Sequence, residues 1–170
     1  MKKMFAMVLL IGSAVGTWGQ AGAAGAAPAT NPDFTGTWKL NLTKSDFGQV
    51  PPPAIESYVI AQTGDAFKLA VTQANDAGTQ DYPIMFKTGA EESFVAKDVF
   101  PASAQFTITS SKAEWQGKAL LVTQKATYQS GGLSISARWT LSDAGKLLTK
   151  VTSYSLDMGS FTTTAVYEKA

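Results

Sequence analysis

The 170-residue sequence contains neither cysteine nor histidine. The first absence excludes a disulfide framework, a thiolate nucleophile and a lipid anchor attached through cysteine; the second excludes a Ser-His-Asp triad and any zinc or haem site that needs imidazole. Catalysis would fall to carboxylates, lysine, tyrosine or serine without the usual near-neutral proton shuttle. Charge of one sign is scarce too, with 14 Lys plus Arg against 13 Asp plus Glu and no basic run, so a polyanion such as nucleic acid has no electrostatic footprint to meet. Adjacent Glu91 and Glu92, with Asp98 downstream, lack the D-x-D-x-D-G spacing of a calcium loop and read as solvated carboxylates rather than an acid/base pair. No catalytic residue, no metal ligand and no cofactor are expected.

The chain opens on Met1-Lys2-Lys3, continues through an apolar stretch from Met4 to about Val15, and reaches the small-residue segment Ala21-Gly22-Ala23-Ala24-Gly25-Ala26. That order is the one of a secretory signal peptide, here 1–26, with cleavage expected after Ala23 or Ala26. Gly12, Ser13 and Gly16 interrupt the apolar run before the roughly 18 residues a transmembrane helix needs. The expected location is therefore periplasmic or extracellular, with no stable membrane insertion. Removing Lys2 and Lys3 leaves 12 basic against 13 acidic side chains, a net charge near −1. Residues 27–33, carrying Pro28 and Pro32, read as an extended linker, because each proline lacks an amide donor and biases its predecessor away from helix. The domain then spans 34–170.

From Gly132 the sequence alternates with period two. Leu133, Ile135, Ala137, Trp139 and Leu141 share one face, while Ser134, Ser136, Arg138, Thr140 and Ser142 share the other. Leu120, Val122, Ala126 and Tyr128 repeat the pattern with Gln124 in phase, as do Phe161, Ala165 and Tyr167 with Thr163 in phase. No 3.6-residue apolar stripe competes with it. Gly117, Gly131, Gly145 and Gly159 each follow the last by 14 residues, a rhythm of consecutive hairpins that leaves about ten residues per leg. Thr63-Gly64-Asp65 and Asp76-Ala77-Gly78 mark two earlier turns. About nine strands result, near 34–42, 55–62, 67–74, 81–88, 104–115, 119–129, 133–142, 147–157 and 161–168, with 45–54 and 88–104 as long loops.

Such a meander must hide one face and dispose of two edges, and closure into a barrel does both. The expected fold is all-β: a single antiparallel up-and-down β-barrel of about eight to ten strands, an interior that side chains fill or that holds one small ligand. An outer-membrane barrel fits the strand length as well, but the Ser and Thr content of the outer face and the closing Glu168-Lys169-Ala170 speak against it. Leu69-Ala70-Val71-Thr72-Gln73 and Leu120-Leu121-Val122-Thr123-Gln124 echo each other 51 residues apart, and convergence of two similarly placed strands explains this as well as duplication does.

Phe34-Thr35-Gly36-Thr37-Trp38-Lys39-Leu40-Asn41 resembles the opening strand of the calycin superfamily, which includes lipocalins, fatty-acid-binding proteins and avidins. The string from Phe34 to Phe47 and the segment from Trp139 to Thr149 are similar to secreted lipocalin-like proteins of bacteria. The resemblance implies a barrel whose G-x-W tryptophan, Trp38, packs at the closed end under a basic side chain from near the chain end, for which Arg138 and Lys169 are the candidates. It also implies binding of a small hydrophobic or amphipathic ligand without catalysis. The Arg-x-Tyr pair with which fatty-acid-binding proteins hold a carboxylate is absent, since Arg138 is followed by Trp139 and Thr140, and there is no room for their two-helix lid between Asn41 and Ala54. The candidate ligand-binding residues are Trp38, Trp115, Tyr128, Arg138, Trp139 and Tyr154, aromatic rings for an apolar pocket and one cation for a head group. The alternative is a packed barrel scaffold whose loops at 45–54 and 88–104 bind or inhibit another protein.

Overall fold

The structure, a computed structural model, describes residues 31–76, 78–89, 91–92, 106–128 and 131–170. The expected signal segment, residues 27–30 of the linker, Asp98 and most of the loop at 88–104 lie outside the described residues. Ten strands follow in chain order: β1 Gly36–Leu40, β2 Ile55–Thr63, β3 Ala66–Asn75, β4 Gly78–Lys87, β5 Glu91–Glu92, β6 Phe106–Gln116, β7 Ala119–Tyr128, β8 Gly131–Ser142, β9 Leu147–Leu156 and β10 Gly159–Lys169. Nine of them fall within a few residues of the expected positions. The short β5 lies inside the expected loop at 88–104, where Glu91 and Glu92 pair with Lys112 and Ser111. Among the described residues the only helical elements are single 3-10 turns at Leu42–Lys44 and Asp143–Gly145, and no helix is long and apolar enough to cross a membrane.

All strands belong to one antiparallel sheet in the order β4-β3-β2-β1-β10-β9-β8-β7-β6-β5. Consecutive strands pair throughout except β4 and β5, and β1 also joins β10, which bends the meander round on itself. Trp38 faces Lys169 on one side and Tyr58 on the other. The two ends of the order meet at a seam, bridged by Thr88 with Ala113 and by the Gly89 amide, which donates to the Ala113 carbonyl at 2.8 Å. Pro83 lies within β4, on one side of that seam, where the ladder bond it cannot donate is not required. The barrel is nearly closed rather than fully hydrogen-bonded around.

Period two becomes an inside and an outside. On β8, Leu133, Ile135 and Trp139 are buried and Arg138 is exposed. The tight turn at Gly117, which needs positive φ, sends β7 back from β6. This turn, the Gly64-Asp65 turn and the Asp143–Gly145 turn cluster at one end, and Phe34, Phe67, Trp115, Leu120 and Leu148 pack there. Phe67 stacks on Phe86 at 4.8 Å, and Phe34 lies 6.0 Å from Trp115. β3 and β7 both start at this closed end, and each carries its apolar pair, Leu69 and Val71 or Leu120 and Val122, into the same core cluster. At the other end the packing thins to a smaller cluster of Ile108, Ala126, Leu133 and Ile135 with Tyr154 and Leu156 against it.

Candidate functional site

Between the packed closed end and the 45–54 loop the barrel encloses a cavity of about 410 Å³. Its wall is largely apolar, with Leu69, Ile84, Phe86, Val122, Ile135 and Trp139 contributed by four strands, and the loop residues Phe47, Val50, Pro51 and Pro53 border it. Prolines suit such a border, since they have no amide donor to leave unsatisfied against an apolar space.

Ser111, Gln124, Thr152 and Thr163 are scattered polar residues in the wall, and one charged cluster interrupts it. β2 carries Glu56, Tyr58 and Ile60 on its inner face, and the Glu56 carboxylate is the hub. Tyr58 and Tyr167 donate their hydroxyls to Oε1 of Glu56, the latter at 2.8 Å. The Lys150 ammonium on β9 donates to the same oxygen at 3.2 Å and to the Tyr58 hydroxyl at 2.5 Å. Gln73, opposite Glu56 across the β2–β3 ladder, donates to Oε2 at 3.4 Å. Lys150 also lies 5.0, 5.5 and 5.8 Å from the ring centres of Tyr58, Tyr167 and Trp139. A buried carboxylate is tolerated only when it is paired and its lone pairs are engaged, and here both conditions hold.

The titration of the cluster follows from that geometry. Burial pushes the Glu56 carboxyl up, but the Lys150 ammonium and the two tyrosine hydroxyls outweigh it, so the group is held below its ordinary value of 4.5. Burial pushes Lys150 down, and the Glu56 carboxylate more than reverses this, leaving the ammonium harder to deprotonate than usual. Burial and the Glu56 charge push Tyr58 well up; burial first, then Glu56 against an opposing Lys150, push Tyr167 up and Tyr82 to about 12. A depressed carboxylate contributes stability that is present above its unfolded value near 4.5 and is lost as pH falls through the folded value. The raised tyrosines contribute stability that is complete below 10 and declines as the unfolded chain ionises first. Urea denaturation across the pH range is thus expected to give a plateau between about pH 5 and pH 10 with losses on both sides. The acid loss is expected to shrink in Glu56→Gln.

The structure sorts the six candidate residues. Trp139 and Tyr154 line the cavity, and Tyr154 stacks on Phe161 at 4.6 Å. Trp38 is fully buried at the closed end, outside the cavity lining, with its ring N–H donated to the Phe34 carbonyl at 2.8 Å. Trp115 packs against Phe34 and Phe67 in the same floor. Arg138 is exposed on the outer face of β8 and donates to the Gln116 side chain at 3.2 Å, so it is not among the cavity-lining residues. Tyr128 ends β7, and its side chain is not among those described. Of the two candidates for the cation over Trp38, Lys169 takes the place, 5.2 Å from the ring. Glu56, Tyr58, Gln73, Lys150 and Tyr167 were not candidates from the sequence. Among the described residues no group of three acidic side chains is placed to hold a metal ion.

This architecture has solved counterparts. Secretory abundant heat soluble protein 4 from Ramazzottius varieornatus matches with a TM-score of 0.54 at 13% identity, over 85% of this chain and 99% of that one. Apo lipid binding protein 8 of Caenorhabditis elegans matches at 0.52 and 14% identity, over 81% and 95%. A Schistosoma mansoni fatty acid binding protein in complex with arachidonic acid matches at 0.50 and 14% identity, over 81% and 96%. No protein-family model matches the sequence, and no curated protein matches it in sequence. The shared feature is the fold: a nearly closed antiparallel barrel of the fatty-acid-binding-protein and lipocalin type.

Proposed function

We propose that this chain is an exported, non-catalytic carrier that holds a small hydrophobic or amphipathic molecule inside its barrel. The observation that carries the reading is the cavity of about 410 Å³, within the ordinary range of roughly 300–1,000 Å³ for ligand sites and lined mainly by apolar side chains. A scaffold that served only to present loops would gain stability by filling that space, because protein interiors pack to crystal density. Two of the structural neighbours are named as lipid- or fatty-acid-binding proteins, and one of them holds arachidonic acid, which supports the class of ligand. The non-catalytic part rests on the cluster itself: its carboxylate, ammonium and hydroxyls are bonded to one another rather than left to act on a substrate. Export rests on the Met1–Ala26 pattern alone.

Nile red, an uncharged apolar dye, is expected to bind the purified protein with a blue-shifted emission. Ala137, on the cavity wall between Ile135 and Trp139, offers the control. Ala137→Phe fills the space from inside, and it is expected to abolish dye binding while the far-ultraviolet circular dichroism stays that of a barrel. Dye binding unchanged by Ala137→Phe would place the apolar site elsewhere and end the carrier reading.

A further inference from the structure

Building on the carrier reading, we propose that the ligand is an uncharged amphiphile, a long-chain alcohol, aldehyde or ester presenting one acceptor oxygen, and that the cavity rejects the corresponding carboxylate. Among the described residues that line the cavity, Glu56 and Lys150 are the only charged ones, and they are paired with each other. The polar anchor therefore sums to zero charge.

An anionic head group reaching for Lys150 would come up against the Glu56 carboxylate already bound there. Two carboxylates sharing one ammonium repel in a region where burial weakens the screening. Pulling Lys150 away from Glu56 instead would strand a buried carboxylate without its counter-charge. The single arginine offers no second cation, being exposed on the outer face and bonded to Gln116. An uncharged hydroxyl or carbonyl meets neither obstacle.

A second observation points to an acceptor on the ligand. The Trp139 ring N–H is buried and has no hydrogen-bond partner among the described residues, and this tryptophan lines the cavity next to Lys150. Indole nitrogen only donates, so the group that completes it has to accept. Buried donors are nearly always satisfied, so an orphan on a cavity wall is open to an acceptor that arrives with the ligand. The Trp115 ring N–H is also unpartnered, but Trp115 lies in the floor, outside the cavity lining, and gives no such signal.

Displacement of Nile red by dodecan-1-ol, methyl dodecanoate and dodecanoate at neutral pH tests this directly. The alcohol and the ester are expected to bind at least about tenfold more tightly than the carboxylate. Glu56→Gln keeps the size and an acceptor oxygen for the tyrosines but leaves the Lys150 charge uncompensated, so dodecanoate is expected to gain and overtake the alcohol. Trp139→Phe is expected to weaken the ester severalfold. Dodecanoate binding the native protein as tightly as the alcohol would overturn the proposal, and so would dye binding that none of the three compounds displaces; in both cases the carrier reading stands. Failure of the dye to bind at all would overturn the two together. The comparison on the native protein decides the matter even if a substituted chain does not fold.

Discussion

Lys150→Met is expected to cost about 3–5 kcal/mol of folding stability at neutral pH, the usual loss when one partner of a buried ion pair is removed and the other stays behind. Glu56 would keep its two tyrosine hydroxyls and Gln73 but lose its only counter-charge among the described residues. With the total stability of a domain near 5–15 kcal/mol, a loss of that size moves the urea midpoint far enough to be unmistakable. The pH dependence identifies the cause. Without Lys150 the carboxyl is buried with no cation, so its folded value rises above the unfolded one and the sign of the linkage inverts. The variant is then expected to gain stability as pH falls toward the unfolded value of 4.5, where the native protein gains nothing. Glu56→Gln/Lys150→Met, which removes both charges, is expected to recover most of the loss. A loss that does not change with pH and is not recovered in the double variant would mean that Lys150 contributes only its packing.

That cluster shows where sequence reading stopped. The strands were legible because the hairpin glycines recur at a fixed interval and because β7, β8 and β10 each put their apolar residues on one face. β2 is different. Ile55 and Val59 look like a core face, yet they are 59% and 54% exposed, while Glu56, Tyr58 and Ile60 turn inward. With apolar residues on both faces, period two cannot choose a phase. The pairing chooses it, by setting Tyr58 opposite the buried Trp38 and Glu56 opposite Gln73.

The counter-charge is harder still, because Lys150 comes from β9, 94 residues on, and meets Glu56 only through barrel closure. A signal did exist in polar residues that fall in phase with an apolar face. Gln124 and Thr163 were visible in that way, and Lys150 in phase with Leu148 is the same kind of residue. What no phase argument supplies is which of these residues meet. β5 was invisible for a simpler reason: two residues carry no period.

The largest effect expected outside the cavity is that of Trp38→Ala, about 3–5 kcal/mol for deleting a fully buried large aromatic. Three interactions converge on this side chain. Its ring is completely enclosed, its N–H satisfies the Phe34 carbonyl, and Lys169 covers its face. The approach of Lys169 in turn depends on Gly36, which sits at φ +142° and where an added Cβ would fall 2.5 Å from the lysine Cε. Graded substitutions separate these contributions. Trp38→Phe keeps most of the ring and leaves a buried carbonyl unpaired, for an expected loss of about 1–3 kcal/mol. Lys169→Met keeps the covering stem and removes only the charge over the ring, for about 0.5–1 kcal/mol. Urea denaturation followed by far-ultraviolet circular dichroism reads all three without relying on the tryptophan emission that the substitutions alter. Trp38 is not part of the cavity wall, so Trp38→Phe is expected to bind Nile red as the native chain does. Equal losses in Trp38→Phe and Trp38→Ala would assign the stability to the indole hydrogen bond rather than to the enclosed ring. A Lys169→Met loss matching that of Trp38→Ala would make the lysine, not the tryptophan, the residue that closes this end of the barrel.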